Sequence, residues 1–308
     1  MNLLNLPKPL EDVKEPKRKE GQSEEAFNKE MEFYRLDKEE HDFWAQFEIR
    51  SLMVADDEEN DVLIAVDYSA LEKVLTCNIT KEPALIDIIE HGTDSHGLNA
   101  TFLFPDILKG VHPNDVKKLF PELRNKAKTT GFAMDYGGTE YTVADNLNIS
   151  KAEARVLVDN YWNGYKTQKK FNQEQIRQAM RSGYTITILV HKRHINGLFS
   201  SNGSIRGKAE RTCMNAPVQG SAADTITSAQ YRIRKDPVLA AIGCTMRLQV
   251  YDEVVFNCPK KYAYIAVPRI QRHMAGALDG YDLEYCPDGL IVPLKAAYDM
   301  GYTYAEAK

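Results

Sequence analysis

Apolar positions along the chain fall into two patterns: short unbroken or alternating runs, and long stretches with a period near 3.6. Residues 61–68, DVLIAVDY, form an unbroken run that ends in an acid, which predicts a buried strand. Met246, Leu248 and Val250 alternate with polar residues, as do Val254 and Phe256, and the two runs flank Tyr251-Asp252-Glu253. That pattern predicts a hairpin with acids at its tip. TITILV (185–190) and the stretch near 290–296 predict two further strands. Helical periodicity covers about 71–91, 114–181, 207–234 and 261–278. Pro121 is placed to open a helix, Gly137-Gly138 to close it, and Gly183 to stop the long helical stretch. Residues 8–48 are dense in charge, with Phe27, Met31 and Tyr34 at helical spacing behind a possible cap at Ser23. This insert reads either as a solvated surface helix or as a docking element for another chain.

Composition narrows the class. Apolar residues make up 43% of 308, enough for a folded core. No run of eighteen apolar residues exists and the N-terminus lacks a signal-peptide core, so no membrane span is expected and the cytoplasm is the expected compartment. Five scattered cysteines without a CxxC pair predict neither a zinc site nor a disulfide framework. Net charge is -5, yet residues 117–212 carry 17 Lys and Arg against 8 Asp and Glu. A basic middle of this kind suits a phosphate backbone, and it also suits a solvated helical face.

Three clusters carry candidate chemistry. Asp67 and Asp252 each end an apolar strand, so neighbouring strands would bring their carboxylates together. Two such carboxylates can hold two Mg2+ ions about 4 Å apart. Taken alone, each acid also fits a helix cap, and no GxxxxGK[ST] loop accompanies them. In RNKAKTTGFAMDYGG, Arg124, Lys128, Phe132 and Tyr136 recur every fourth residue. On a helix they form one slowly turning stripe: two cations for a triphosphate, then two rings for base and sugar. The competing reading is an amphipathic edge with core aromatics. Arg211, Asn215 and Gln219 form a polar row on a third helix, suited to groove and sugar contacts or simply to water.

Together these segments resemble the family A DNA polymerases, the DNA polymerase I-like enzymes that include phage replicases. DYSALE (67–72) resembles the first palm motif, usually DYSQIE, and VYDEV (250–254) the second, usually VHDEV. Residues 124–137 resemble the fingers helix, and ERTCMNAPVQGSAAD (210–224) the helix that follows the primer–template. NLLNLP (2–7) resembles NLQNIP, and the C-terminal VPLKAAYDMGYTYAEA resembles the closing strand and tail. Only residues 8–47 fall outside the resemblance.

The resemblance implies an α+β fold: a palm of antiparallel sheet backed by helices, and a mainly helical fingers domain. Residues 1–72 would be the first part of the palm, with the charged insert at about 8–47. Residues 73–205 would be the fingers, and 206–308 the second part of the palm and the tail. It implies template-directed addition of a dNMP to a primer 3′-hydroxyl, with two Mg2+ ions or Mn2+ in their place. Asp67, Asp252 and the Tyr68 carbonyl would bind metal, and Asp67, Asp252, Glu253 and Lys128 would form the catalytic group. Arg124, Lys128, Phe132, Tyr136, His96 and Glu72 would contact the incoming dNTP, with Glu72 excluding a ribose 2′-hydroxyl. Arg211, Asn215, Gln219, Tyr251, Asn2 and Asn5 would contact the primer–template. Tyr251 stands where the family has His, and Gly131 and Ala133 depart from the usual residues around Phe132.

A family A polymerase carries a thumb, and usually an exonuclease-like domain, before the NLQNIP stretch. The resemblance begins at that stretch, so thumb and exonuclease domain are expected to be absent here and supplied by a second polypeptide, as in a split polymerase. The compartment would be host cytoplasm if a phage encodes the chain. The alternative is a non-catalytic, polymerase-derived DNA-binding subunit of a replisome.

Overall fold

In the computed structural model, the described residues are 23–24, 27–29, 31–35, 38, 49–135 and 137–307. Asn2, Asn5, Tyr136 and most of the 8–47 insert lie outside them; within the insert, residues 27–29 and 31–35 are helical. The chain divides into two compact units. Unit 1 comprises the described residues up to Tyr68, with Tyr231–His273 and Ala296 onward; unit 2 comprises Ser69–Gln230 and Met274–Lys295. This division assigns 206–230 and 274–295 to the helical unit, at cuts different from the functional boundaries expected above.

Unit 1 is built on a four-stranded antiparallel sheet in the order β4-β5-β1-β6: β1 (Asp61–Tyr68), β4 (Thr245–Val250), β5 (Glu253–Pro259) and β6 (Ala296–Gly301). Position in the sheet follows from the residue pattern. β1 and β5 carry the unbroken apolar segments Val62–Val66 and Val254–Phe256, and they are the central pair, buried along most of their length. β4 alternates exposed and half-buried residues, as an edge strand with one wet face does. One face of the sheet packs Leu63, Ala65 and Val255 with Ala55, Tyr304 and Ala307. On alternate positions Ile64, Val66, Val254 and Phe256 are at most 1% exposed, so the sheet is covered on both faces. Helix α10 (Ala263–Ala275) buries Ala266, Val267 and Ile270, and its Gln271 donates to the Ala296 carbonyl at 2.7 Å.

The closing strand is displaced from the expected position: it runs over Ala296–Gly301, not 290–296. Pro293 removes a ladder donor from the apolar segment. Val292 instead exchanges two hydrogen bonds of 2.9 Å with the buried Asn78 amide. The strand that does pair is mostly exposed and carries little apolar signal.

Unit 2 is helical: α1 (Leu71–Thr80), α2 (Pro83–His91), α3 (Ser95–Leu103), α4 (Pro113–Leu119), α5 (Pro121–Asp135), α6 (Glu140–Leu147), α7 (Lys151–Gly164), α8 (Lys166–Ser182) and α9 (Gly203–Arg234), whose last turn counts with unit 1. Caps explain the boundaries. Ser150 and Glu153 form a capping box, Gly183 closes α8 at φ 80°, and Gly137 follows α5 at φ 73°. The buried Glu82 caps α2 and also accepts from Thr167 and Gln168, at the start of α8. Helix α3 lay outside the expected helical ranges.

Of the expected strand 185–190, only its beginning pairs, as β2 (Tyr184–Ile186) with β3 (Lys192–His194). From Thr187 the chain turns, with Val190 at φ 65°. Asp224 on α9 imposes the turn by bonding both the Thr187 hydroxyl and His191 Nδ1, the latter at 2.7 Å. All five cysteines are free thiols. Among the described residues no helix is long and apolar enough to cross a membrane.

Candidate active site

In unit 1, β1 and β5 pair so that Asp67 lies opposite Glu253. Val250 pairs with Glu253, leaving Tyr251 and Asp252 as a two-residue turn. Asp67 and Asp252, each half-buried, thus come to the same end of the sheet. Tyr251 makes the turn at φ 55°, a conformation that costs a non-glycine residue about 1–2 kcal/mol. Gln249 Nε2 donates to the Tyr251 carbonyl at 2.8 Å and helps hold it. The Tyr251 side chain is exposed.

Glu253 belongs to the strand and not to the tip. It is 4% exposed and accepts the hydroxyl of the fully buried Tyr304. Arg50 lies over the Tyr304 ring, 5.5 Å from its centroid. Burial pushes the Tyr304 phenol up, and the bond to Glu253 and the charges of Glu253 and Asp67 push it further, against Arg50. Burial and then the Asp252 charge raise the Tyr68 phenol. The acids therefore concentrate negative charge at one end of the sheet.

Among the described residues, no group of three or more His, Cys, Asp or Glu side chains is arranged to hold a metal ion. The donor set that Asp67 and Asp252 offer is two hard carboxylates. That set suits Mg2+, which takes few protein oxygens and completes its shell with water and substrate phosphate.

In unit 2, α5 carries Arg124, Lys128 and Phe132 on one stripe, and α3 brings His96 against it. The His96 and Phe132 rings are 5.6 Å apart at 60°, and Lys128 Nζ lies 5.9 Å from the Phe132 centroid. Lys128 is exposed and Phe132 is 48% exposed. Arg124 is clamped by Asp94, the N-cap of α3: Nε donates to Oδ2 at 2.5 Å and Nη2 to Oδ1 at 2.9 Å. This bond first, against the cost of burial, holds the Asp94 carboxyl below the usual carboxylate range and raises Arg124. Burial lowers the His96 imidazole, and the Arg124, Lys73 and Lys128 charges lower it further against the opposing charge of Asp94. His96 Nδ1 is buried without a hydrogen-bond partner among the described residues. Asp94 and Lys73 are the members of this cluster that sequence reading missed. Asp94, two residues before His96, carries the helix-capping signal that could have marked it.

Close packing explains Gly131. A Cβ there would lie 2.6 Å from Asn99 Nδ2, so the glycine lets α3 approach α5. Past α5, a cleft of about 620 Å³ is lined by Phe132, Gly137, Gly138, Thr139, Asn146 and Arg211, among others. A Cβ on Gly137 would meet the Arg211 stem at 2.9 Å. Asn215 is half-buried and Gln219 exposed on the same α9 row. Glu72 is exposed in the first turn of α1.

The sequence model described as "DNA polymerase family A" matches residues 40–306. DNA polymerase I of Streptococcus pneumoniae serotype 4 is 33% identical over 251 residues, which is 81% of this chain and 27% of that protein. DNA polymerase I of Bacillus subtilis strain 168 is 32% identical over 254 residues, 82% of this chain and 26% of that one. The solved structure titled "POL domain of Pol1 from M. smegmatis complex with DNA primer-template and dNTP" superposes with a TM-score of 0.72 at 30% identity, over 85% of this chain and 43% of that one. The chain thus spans about a quarter of the length of these curated relatives.

Proposed function

The chain belongs to DNA polymerase family A, and we propose that it carries the nucleotidyl-transfer centre of a DNA-directed DNA polymerase. The observation that carries this reading is the convergence of His96 on the Arg124–Lys128–Phe132 face of α5, a cationic surface with an aromatic end. A dNTP needs that order: donors for its phosphates, then a ring for its sugar and base.

The reaction is attack of a primer 3′-hydroxyl on the α-phosphorus of a dNTP, with pyrophosphate leaving. Asp67, Asp252 and the Tyr68 carbonyl would hold two Mg2+ ions, which when bound lower the pKa of the attacking hydroxyl and offset the charge of the leaving phosphates. Glu253, held by Tyr304, fixes the start of the strand that follows Asp252. Arg124 and Lys128 bind the triphosphate, and Lys128 supplies a proton to the departing pyrophosphate. His96 presents its ring beside Phe132. Glu72 fills the space a 2′-hydroxyl would need, selecting deoxynucleotides. Arg211, Asn215 and Gln219 line the path of the primer–template, with Tyr251 at the primer end. Most of the acceleration comes from positioning and charge stabilisation.

The relatives are longer than this chain, and on the family resemblance the further polypeptide would carry a thumb and an exonuclease-like domain. A tagged chain purified from its source would show whether that polypeptide is a separate one. The deciding experiment is magnesium-dependent primer extension by the chain and by that purified assembly, with Asp252→Asn as control. Extension that falls by on the order of 10²–10³ in the variant is expected, the usual cost of one electrostatic catalytic group. Primer–template binding without extension by the unaltered assembly would instead favour the non-catalytic subunit.

A further inference from the structure

We infer that Asp94 is a positioning residue of the nucleotide site, aiming the Arg124 guanidinium and tying it to the first turn of α3, where His96 stands. The inference rests on the triphosphate reading of the α5 stripe. Its geometry is a side-on clamp: Arg124 donates through Nε at 2.5 Å and Nη2 at 2.9 Å to the two oxygens of one carboxylate. A guanidinium has five N–H donors in a fixed fork. The clamp consumes two and leaves the Nη1 edge to face a ligand.

Asp94 is itself immobilised. Its Oδ1 accepts the His96 backbone N–H at 3.3 Å, and its own N–H donates to Asn114 Oδ1, on the first turn of α4, at 2.6 Å. One carboxylate therefore sets the orientation of a cation on α5 and the start of the helix that bears His96. An arginine on a mobile stem loses rotamer entropy when it binds phosphate, and a clamp applied beforehand removes part of that cost. A surface ion pair would have little such effect, but this one is about four-fifths buried on both sides. It also stands where a ligand would come: the His96 ring that follows the cap lies against Phe132, and Lys128 reaches over the same ring.

The test is the dNTP dependence of primer extension by the purified assembly, for the unaltered protein, Asp94→Asn, Asp94→Ala, Arg124→Ala and the double variant Asp94→Ala/Arg124→Ala. Asp94→Ala is expected to raise KM for dNTP about tenfold with kcat little changed, the signature of lost ground-state binding. Asp94→Asn, which still caps a helix as well as Asp does, keeps the fold and separates the clamp from the cap. It should raise KM by an intermediate factor. In the Arg124→Ala background, Asp94→Ala should add no further change. An unchanged KM in both Asp94 variants, or an equal effect with and without Arg124, would overturn the inference and leave Asp94 as a cap only. Extension by the unaltered assembly with KM insensitive to Asp94 sinks this inference alone. No extension and no dNTP binding by the unaltered assembly sinks the polymerase reading and this one with it.

Discussion

Gly131→Ala separates local helix preference from tertiary packing inside α5. Local preference favours the change, because alanine in a helix interior is more stable than glycine by about 1 kcal/mol. Packing opposes it. The new Cβ would lie 2.6 Å from Asn99 Nδ2, well inside contact distance. Asn99 has little room to withdraw: it is 8% exposed, and its Oδ1 accepts the Tyr165 hydroxyl at 2.5 Å. Tyr165 is in turn packed edge-on against Phe102, at 5.3 Å between centroids, and beside Tyr161, at 4.8 Å. Overpacking a tight contact costs about 1–3 kcal/mol, and breaking a buried hydrogen bond about 1–3 kcal/mol. With both costs set against the gain in helix preference, net destabilisation of about 1–5 kcal/mol is expected, read as a lower urea midpoint at unchanged slope. Removing the obstacle should recover the loss, so Asn99→Ala/Gly131→Ala should be more stable than the two single changes add up to. A Gly131→Ala protein as stable as the parent, or more stable, would refute the argument that Asn99 dictates the glycine.

Asp236→Ala should be among the most damaging changes in unit 1. Burial raises this carboxyl, but bonds from His273, Arg269 and the Val238 and Leu239 amides outweigh burial and hold it well below its ordinary value. Removing the partner of a buried charge costs about 3–5 kcal/mol. Because the folded pKa is depressed, this stability is fully present above the unfolded value of about 3.9 and is lost as pH falls through the folded value. The variant's denaturation midpoint should therefore fall less steeply than the parent's below pH 4. Phe132→Tyr tests the sugar end of the proposed nucleotide site. The phenylalanine has no hydroxyl to replace a missing 3′-hydroxyl, so the parent should discriminate against dideoxynucleotides. The variant should lose about tenfold or more of that discrimination, the value of one hydrogen bond to a charged group. Equal use of dideoxynucleotides by the parent in a competition assay would count against the role of Phe132.

Legibility differed from element to element for physical reasons. The central strands could be read because burial on both faces demands an unbroken apolar run, and DVLIAVDY and VVF supply it. The acid-bearing hairpin was readable because alternation and a short polar break are both local. The Arg124–Lys128–Phe132 stripe needed only helix geometry, and Pro121 and Gly137 marked its ends. Membership of the polymerase family was likewise legible, since its motifs are contiguous segments in a set order.

Other features depended on contacts between residues far apart in sequence. The chain turns at Thr187 because Asp224, on another helix, binds it there. Residues 290–295 are not a strand because Pro293 lacks a ladder donor and the Asn78 amide takes both backbone groups of Val292. β6 pairs although it is mostly exposed, because an edge strand is recruited by the open ladder of β1 and not by burial. Glycine at 131 is a poor helix residue taken alone, and it is Asn99 on α3 that requires it there. Asp94, thirty residues before Arg124, became part of the site only when α3 and α5 packed. Periodicity and motif chemistry are properties of neighbouring residues and can be read along the chain; which polar group satisfies which other is set by the packed fold, and that is where Asp94, Asn78, Asn99 and Asp224 acquired their roles.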